Sequence, residues 1–211
     1  MNAILFMAPP SHRLFDDADR IVRQVFPDAI LIASKDDLSP HREAATIISF
    51  LSPVIVPPHL LTADTINFHP APPDYPGRGS ASIAIYEGAS HYGATVHRMA
   101  RKVDTGDILL TKRFPIGPQD GCEHLFERAE NLCLALLDET MAHVARHGRF
   151  PPPNGERWTR QAMTRKQFED WLIVDPNDPA DMERKIRAAR HSRFPGPYLI
   201  VNGHRFALCE R

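Results

Sequence analysis

The sequence is poor in cysteine, in long apolar runs and in net charge, and each shortage excludes a class of protein. Three cysteines in 211 residues, with no C-x-x-C spacing, supply neither a disulfide framework nor a zinc knuckle. Cys122 and Cys133 fall in an apolar helical pattern and read as core residues, and Cys209 lies near the C-terminus. No apolar run approaches the length needed to span a bilayer. The first residues show no basic region ahead of a cleavable apolar segment, so the expectation is a soluble cytoplasmic protein. Charges nearly cancel, 25 basic against 26 acidic, which offers no broad basic surface to nucleic acid or membrane. A glycine-rich turn is also missing after the first apolar run, where Ala8-Pro9-Pro10-Ser11 stands instead. Without it the usual phosphate cradle of dinucleotide-binding folds is lost.

What is present is enough apolar residue, 43 %, for a packed core, and 20 prolines, about twice the usual share. The prolines mark rigid loops at Pro9-Pro10, Pro57-Pro58, Pro70 to Pro76 and Pro151 to Pro153. Between them, apolar runs at Ala3 to Met7, Ala29 to Ala33, Thr46 to Leu51 and Ile66 to His69 read as buried strands. Phe15 to Val25 has helical spacing and stops before Pro27. Ser80 to Tyr86 reads as a short helix closed by Gly88, and Tyr92 to Met99 and Asp107 to Phe114 as strands. Leu125 to Val144 reads as a long helix ended by Gly148. This alternation predicts an α/β, Rossmann-like domain with a mostly parallel sheet covered on both faces. Pro151-Pro152-Pro153-Asn154-Gly155 divides it, over 1–150, from a C-terminal extension over 151–211. The extension reads as two short helices, around Phe168 to Leu172 and over Asp181 to His191. It closes with a hairpin of Tyr198 to Val201 and His204 to Cys209 turned by Asn202-Gly203.

Candidate chemistry concentrates between Ile66 and Ile108. Asn67 and His69 are two apart, so on a strand they share a face, and they stand where a strand gives way to a proline-rich loop. Asp104 follows 37 positions later, before the tight Thr105-Gly106 turn. In a parallel sheet, side chains at neighbouring strand ends converge on one cleft, which would bring the three together. An amide donor can stabilise an oxyanion, a histidine can carry a proton, and a carboxylate can hold that histidine charged. No serine or cysteine in these motifs is placed as a nucleophile, which favours direct transfer over a covalent acyl-enzyme.

Four stretches carry a resemblance. Asn67-Phe68-His69-Pro70, Asp74-Tyr75-Pro76-Gly77-Arg78-Gly79, Gly93-Ala94-Thr95-Val96-His97 and Val103-Asp104-Thr105-Gly106-Asp107-Ile108 resemble, in order and spacing, the folate-dependent formyltransferase family. The resemblance implies catalytic Asn67, His69 and Asp104 and a co-substrate, 10-formyltetrahydrofolate. It places the folate against Phe50, Leu51, Ser52, Pro53 and Val54, largely through backbone, with Arg101, Lys102 and Val103 closing over the ring. Tyr75, Gly77 and Arg78 are then candidates for the amine substrate, and His97 either positions the Asp104 loop or shares in the chemistry. Ala71-Pro72-Pro73-Asp74 departs from the family's Ser-Leu-Leu-Pro. Within the family, the short hairpin-bearing extension resembles the branch that formylates a 4-amino-4,6-dideoxy sugar of a nucleotide sugar. That branch implies a small-molecule amine partner, no membrane or nucleic acid, and a homodimer. The alternatives are a methionyl-tRNA or glycinamide ribonucleotide formyltransferase, a formyltetrahydrofolate hydrolase and a non-catalytic folate-binding protein. A metal hydrolase built on His69, His97 and Asp104 is a further one, although no metal is expected. Arg184, Lys185, Arg187, Arg190 and Arg193 form either an anion-binding face or a solvated helix surface.

Overall fold

A computed structural model describes residues 3–41, 43–62 and 64–207. Six strands form one sheet in the order β2-β1-β3-β4-β5-β6, with β1 at Ala3–Met7, β2 at Ile30–Ile32, β3 at Ala44–Phe50, β4 at Asp64–His69, β5 at His91–Arg98 and β6 at Ile108–Pro115. The first four strands pair in parallel, as expected. The last two differ: β5 runs antiparallel to β4, and β6 antiparallel to β5. The connection 99–107 explains the second of these reversals, because nine residues without a helix are too few for a parallel crossover.

Alternation along the strands sorts the two faces. Phe6, Ile48, Phe50, Ile66, Phe68, Ala94 and Val96 point to one side, where α1 (Phe15–Val25) and α4 (Cys122–His147) cover them. Gly148 ends α4 in the left-handed conformation, as its sequence position foretold. One member of the α4 face is unexpected. Glu130 is buried, and it is held by His12 and Arg13 from the loop after β1, each at 3.1 Å. The Leu14 N–H donates to His12 Nδ1, so the His12 Nε2–H is the donor to Glu130.

On the opposite face, Leu5, Met7 and Ile47 are covered by α2 (Lys35–Leu38) and the 3₁₀ turn at Pro58–Thr62. Helix α2 was not anticipated, although Ser34-Lys35-Asp36-Asp37 has the S-x-x-D pattern of a helix start. Asp37 accepts the Ala33 and Ser34 N–H groups, and its own N–H donates to Ser34 Oγ. Over β4 to β6 this face carries Asn67, His69, Thr95 and His97, and loops meet it there.

Helix α3 (Ser80–Glu87) and the first turns of α4 pack with Tyr92 and Ala188 in a second cluster that joins the C-terminal part to the sheet. Beyond residue 151 follow α5 (Arg165–Trp171), α6 (Pro179–Ala189) and the hairpin of β7 (Tyr198–Val201) with β8 (His204–Ala207). Asn202 and Gly203 both have positive φ, as the Asn-Gly turn requires. The expected end of the hairpin at Cys209 lies outside the described residues. Helix α6 stops at Ala189, two residues before the expected end, because His191 turns in to pack between Phe126 and Phe194. Among the described residues, no helix is long and apolar enough to cross a membrane.

Candidate active site

The register puts the site together in two rows across the sheet. Ser49, Asn67 and His97 lie side by side on β3, β4 and β5, and His69, Thr95 and Thr111 form the next row. Asn67 and His69 therefore share a face, as their spacing predicted. Asp104 joins them by a route the sequence did not suggest. Since β5 is antiparallel, its carboxyl end lies beside Ile66 rather than beside His69. The carboxylate gets there because loop 99–107 folds back over the sheet. The Arg98 N–H donates to the Asp107 carbonyl at 2.8 Å and closes the neck of this loop. Gly106 sits against the Arg98 carbonyl, where a Cβ would clash with it.

Asp104 is 4 % exposed and is the hub of the cluster. Its Oδ2 accepts the Gly77 N–H at 2.8 Å and lies 3.5 Å from His69 Nδ1, while its Oδ1 is 3.3 Å from His97 Nε2. Burial alone would raise its pKa. The His69 charge, the hydrogen bond and charge of His97, and the Gly77 N–H outweigh burial and hold the carboxyl well below its usual range. Each imidazole has its other nitrogen fixed by a main-chain carbonyl. His69 Nε2–H donates to Tyr75 O at 3.2 Å, and His97 Nδ1–H donates to Arg98 O at 2.8 Å. A carbonyl only accepts, so both rings turn their remaining nitrogen toward Asp104. His97 Nε2 also meets Asn67 Nδ2 at 3.1 Å. His69, His97 and Asp104 are buried, whereas Asn67 is half-buried and is the most accessible of the four.

Strained backbone marks the two loops that flank this cluster. Leu51 and Asp104 have φ of 52° and 49°, a region that costs a side-chain-bearing residue energy and that recurs at functional sites. Of the expected folate-contacting residues, Phe50 sends its ring into the core against Phe68, which leaves only its backbone available. Ser52 Oγ accepts the Val54 N–H at 3.2 Å, and Val54 packs against the core cluster of Leu5, Met7 and Ile47, to whose margin Met99 also belongs. Pro53, Arg101, Lys102 and Val103 are exposed.

The expected substrate residues divide. Gly77 is central: its φ is 86°, its N–H binds Asp104, and a Cβ there would strike the Met163 backbone. Arg78 is exposed and lines a small cavity with Arg160 and Ser80. Tyr75 instead contributes its carbonyl to His69. Its ring is buried beside Tyr92 and under Arg160, and its phenol is pushed up to about 12, first by burial and then by Glu87. Three of the five basic residues expected on and just beyond α6 are engaged locally. Arg184 lies over Tyr86 and donates to its carbonyl, Lys185 pairs with Asp181, and Arg193 lies over Phe126 and Phe194. Among the described residues no group of three His, Cys, Asp or Glu side chains is arranged to hold a metal ion.

Sequence reasoning missed Trp158, which stands in a strap of extended chain after the proline run. Its ring meets His97 at 5.0 Å and His69 at 6.0 Å between centroids, and its Nε1–H donates to the Gly106 carbonyl at 2.8 Å. The available signal was a lone aromatic in a polar, arginine-rich stretch, too weak to separate it from a linker.

Comparison with known proteins agrees with the motifs. Residues 44–140 match the formyl transferase family model. A methionyl-tRNA formyltransferase of Ehrlichia ruminantium is 28 % identical over 212 residues, covering 100 % of this chain and 62 % of that protein. The chain thus spans about three fifths of the length of that relative. Among solved structures, a sugar N-formyltransferase from a Shewanella species superposes with a TM-score of 0.76 at 18 % identity, covering 98 % of this chain and 96 % of the other. HypX from Aquifex aeolicus, in complex with tetrahydrofolic acid, superposes with a TM-score of 0.67 at 20 % identity, covering 99 % of this chain and 37 % of the other. The chain shares its fold with these proteins and is related to formyl-transferring enzymes.

Proposed function

From the formyltransferase segment at its centre, we propose that this protein moves a formyl group from 10-formyltetrahydrofolate to a primary amine, with Asn67, His69 and Asp104 as its catalytic residues. The observation that carries the reading is the pairing of two imidazoles, each tied to a main-chain carbonyl, with one buried carboxylate beside a half-buried amide. The loops 50–54 and 101–104 suit a flat heteroaromatic ring. Both contain a strained residue, exposed Ile55 follows the first loop, and exposed Val103 belongs to the second. When bound, the folate supplies the formyl group on nitrogen.

The chain's own residues then have distinct tasks. As an amine adds to the formyl carbon, negative charge grows on the carbonyl oxygen. The Asn67 amide can donate an N–H to it, and His69 Nε2–H leaves the Tyr75 carbonyl to do the same. Asp104, ionised throughout the neutral range, sets a negative charge beside His69 Nδ1 that favours positive charge developing on the ring. The proton shed by the attacking amine passes to the nitrogen of the donor as the bond from that nitrogen to the formyl carbon breaks, with the His69–Asp104 pair as its relay.

For the acceptor, we favour an amino sugar carried on a nucleotide. Similarity of fold to a sugar N-formyltransferase over 98 % of this chain supports this, as does the near balance of basic and acidic residues. With Arg184 engaged at Tyr86 and Arg78 exposed beside a small cavity, Arg78 is the candidate grip on a phosphate. Exposed Ile200, Val201 and Phe206 on the hairpin fit contact with a second copy of the chain, which light scattering would detect. The deciding experiment is a formyl-transfer assay over nucleotide-linked amino sugars, glycinamide ribonucleotide and methionyl initiator tRNA. Transfer to an amino sugar is expected, and transfer to tRNA alone would overturn the acceptor assignment. The 151–211 extension is read as the unit that completes this acceptor side.

A further inference from the structure

The strap 154–163 ties together the two loops that build the site. The Asn154 N–H donates to Ile108 O at 2.9 Å, Thr159 N–H to Pro73 O at 3.2 Å and Met163 N–H to Pro76 O at 3.1 Å, and Arg78 N–H returns a bond to Met163 O at 2.8 Å. One side of the strap thus lies along loop 70–79, which supplies Gly77 N–H and Tyr75 O to the cluster. Trp158 reaches to the other side. Its Nε1–H holds the carbonyl of Gly106, two residues from Asp104, while its ring lies edge-on to His97, with an interplanar angle of 88°, and also touches His69. Asp104 itself sits at a strained φ, so its placement needs support from outside the loop.

We infer that Trp158 is a positioning residue for the reaction. It clamps loop 99–107 so that the Asp104 carboxylate meets the Gly77 N–H and both imidazoles, and it bars water from the inner side of those rings. The inference rests on the proposed formyl transfer for its kinetic consequence, but the clamp can be observed without it.

The test compares Trp158→Phe and Trp158→Ala with wild type by steady-state kinetics and by amide hydrogen exchange. Phe keeps a ring against the imidazoles and deletes the N–H donor. In Trp158→Phe, kcat should fall about tenfold, the worth of one hydrogen bond, with KM for the formyl donor changed less than about twofold. Trp158→Ala should lose about a hundredfold. In both, the amides of Gly77 and of Thr105 to Asp107 should exchange faster, while those of β4 and β5 keep their protection. Unchanged exchange at Gly77, or a kcat within about twofold of wild type in both variants, would overturn the inference. Faster exchange across the whole sheet would also overturn it, since that marks lost packing rather than a lost clamp. Should wild type transfer no formyl group, the exchange pattern alone decides on the clamp, and the functional reading falls separately.

Discussion

Replacing Asp104 with Asn probes the centre most sharply, because the carboxylate is the shared partner of three groups. The side chain is nearly isosteric, so Gly77 N–H keeps an acceptor, but the charge facing His69 Nδ1 and His97 Nε2 disappears. Removing one partner of a buried ion pair costs about 3–5 kcal/mol, and we expect the lower end because the amide retains hydrogen bonds. For a chain of this size about 3 kcal/mol lowers Tm by about 6–12 °C. The sign of the pH dependence follows from the depressed carboxyl. A group whose folded pKa lies below its unfolded value contributes stability that is present above the unfolded value, 3.8, and is lost as pH falls through the folded one. The Tm gap between wild type and Asp104→Asn should therefore be full at pH 7 and narrow only below about pH 4. Transfer should fall by about 10²–10⁴ at neutral pH, since the imidazole loses the carboxylate that faces it as charge develops. Scanning calorimetry from pH 7 to pH 3, with single-turnover transfer at pH 7, gives both quantities. A variant as stable as wild type at pH 7, or a Tm gap that widens on acidification, would refute the reasoning.

Three further outcomes follow from the same geometry. Asn67→Ala should lower kcat by about 10²–10³ with little loss of stability, because the amide is half-buried and its partner His97 keeps its carbonyl bond; kinetics with circular dichroism check this. Gly77→Ala should destabilise by about 1–3 kcal/mol, seen as a drop in the urea midpoint, since φ is 86° and the new Cβ meets the Met163 backbone. Glu130→Ala should cost a similar amount and loosen the loop after β1, measured by its amide exchange, because His12 loses its acceptor and Arg13 loses a charge partner. A Glu130→Ala variant with wild-type stability would mean that the buried pair merely offsets its own desolvation.

Much of the fold is legible in the sequence where local chemistry and packing agree. The apolar stripe of α4, its Gly148 stop, the Asn202-Gly203 turn and the first four strands all appear where periodicity and turn chemistry put them. The face shared by Asn67 and His69 follows from the two-residue repeat of a strand. Strand direction is a different matter: nothing in the residues of β5 says that it runs antiparallel, and only the length of connection 99–107 hints at the reversal beyond it. The path of Asp104 was hidden for that reason. Tyr75 was legible as a residue of the site but not as a carbonyl acceptor facing inward, since a side chain's burial depends on neighbours such as Tyr92 that are distant in sequence. Trp158 was hidden because the proline run before it looks like a boundary, whereas Thr159 and Met163 after it bond along loop 70–79 and its own indole bonds to loop 99–107.

The central claim is that one centre, built by Asn67, His69 and Asp104, transfers a formyl group. The most direct measurement incubates the protein with 10-formyltetrahydrofolate carrying an isotopic label in the formyl group and an amino-sugar nucleotide, then follows the label by mass spectrometry. Wild type, Asn67→Ala and Asp104→Asn are compared side by side. Label appearing on the amine with wild type, and slowed by about a hundredfold or more in both variants, is the predicted result. Label released only as formate, or transfer at equal rates in all three proteins, would contradict the account.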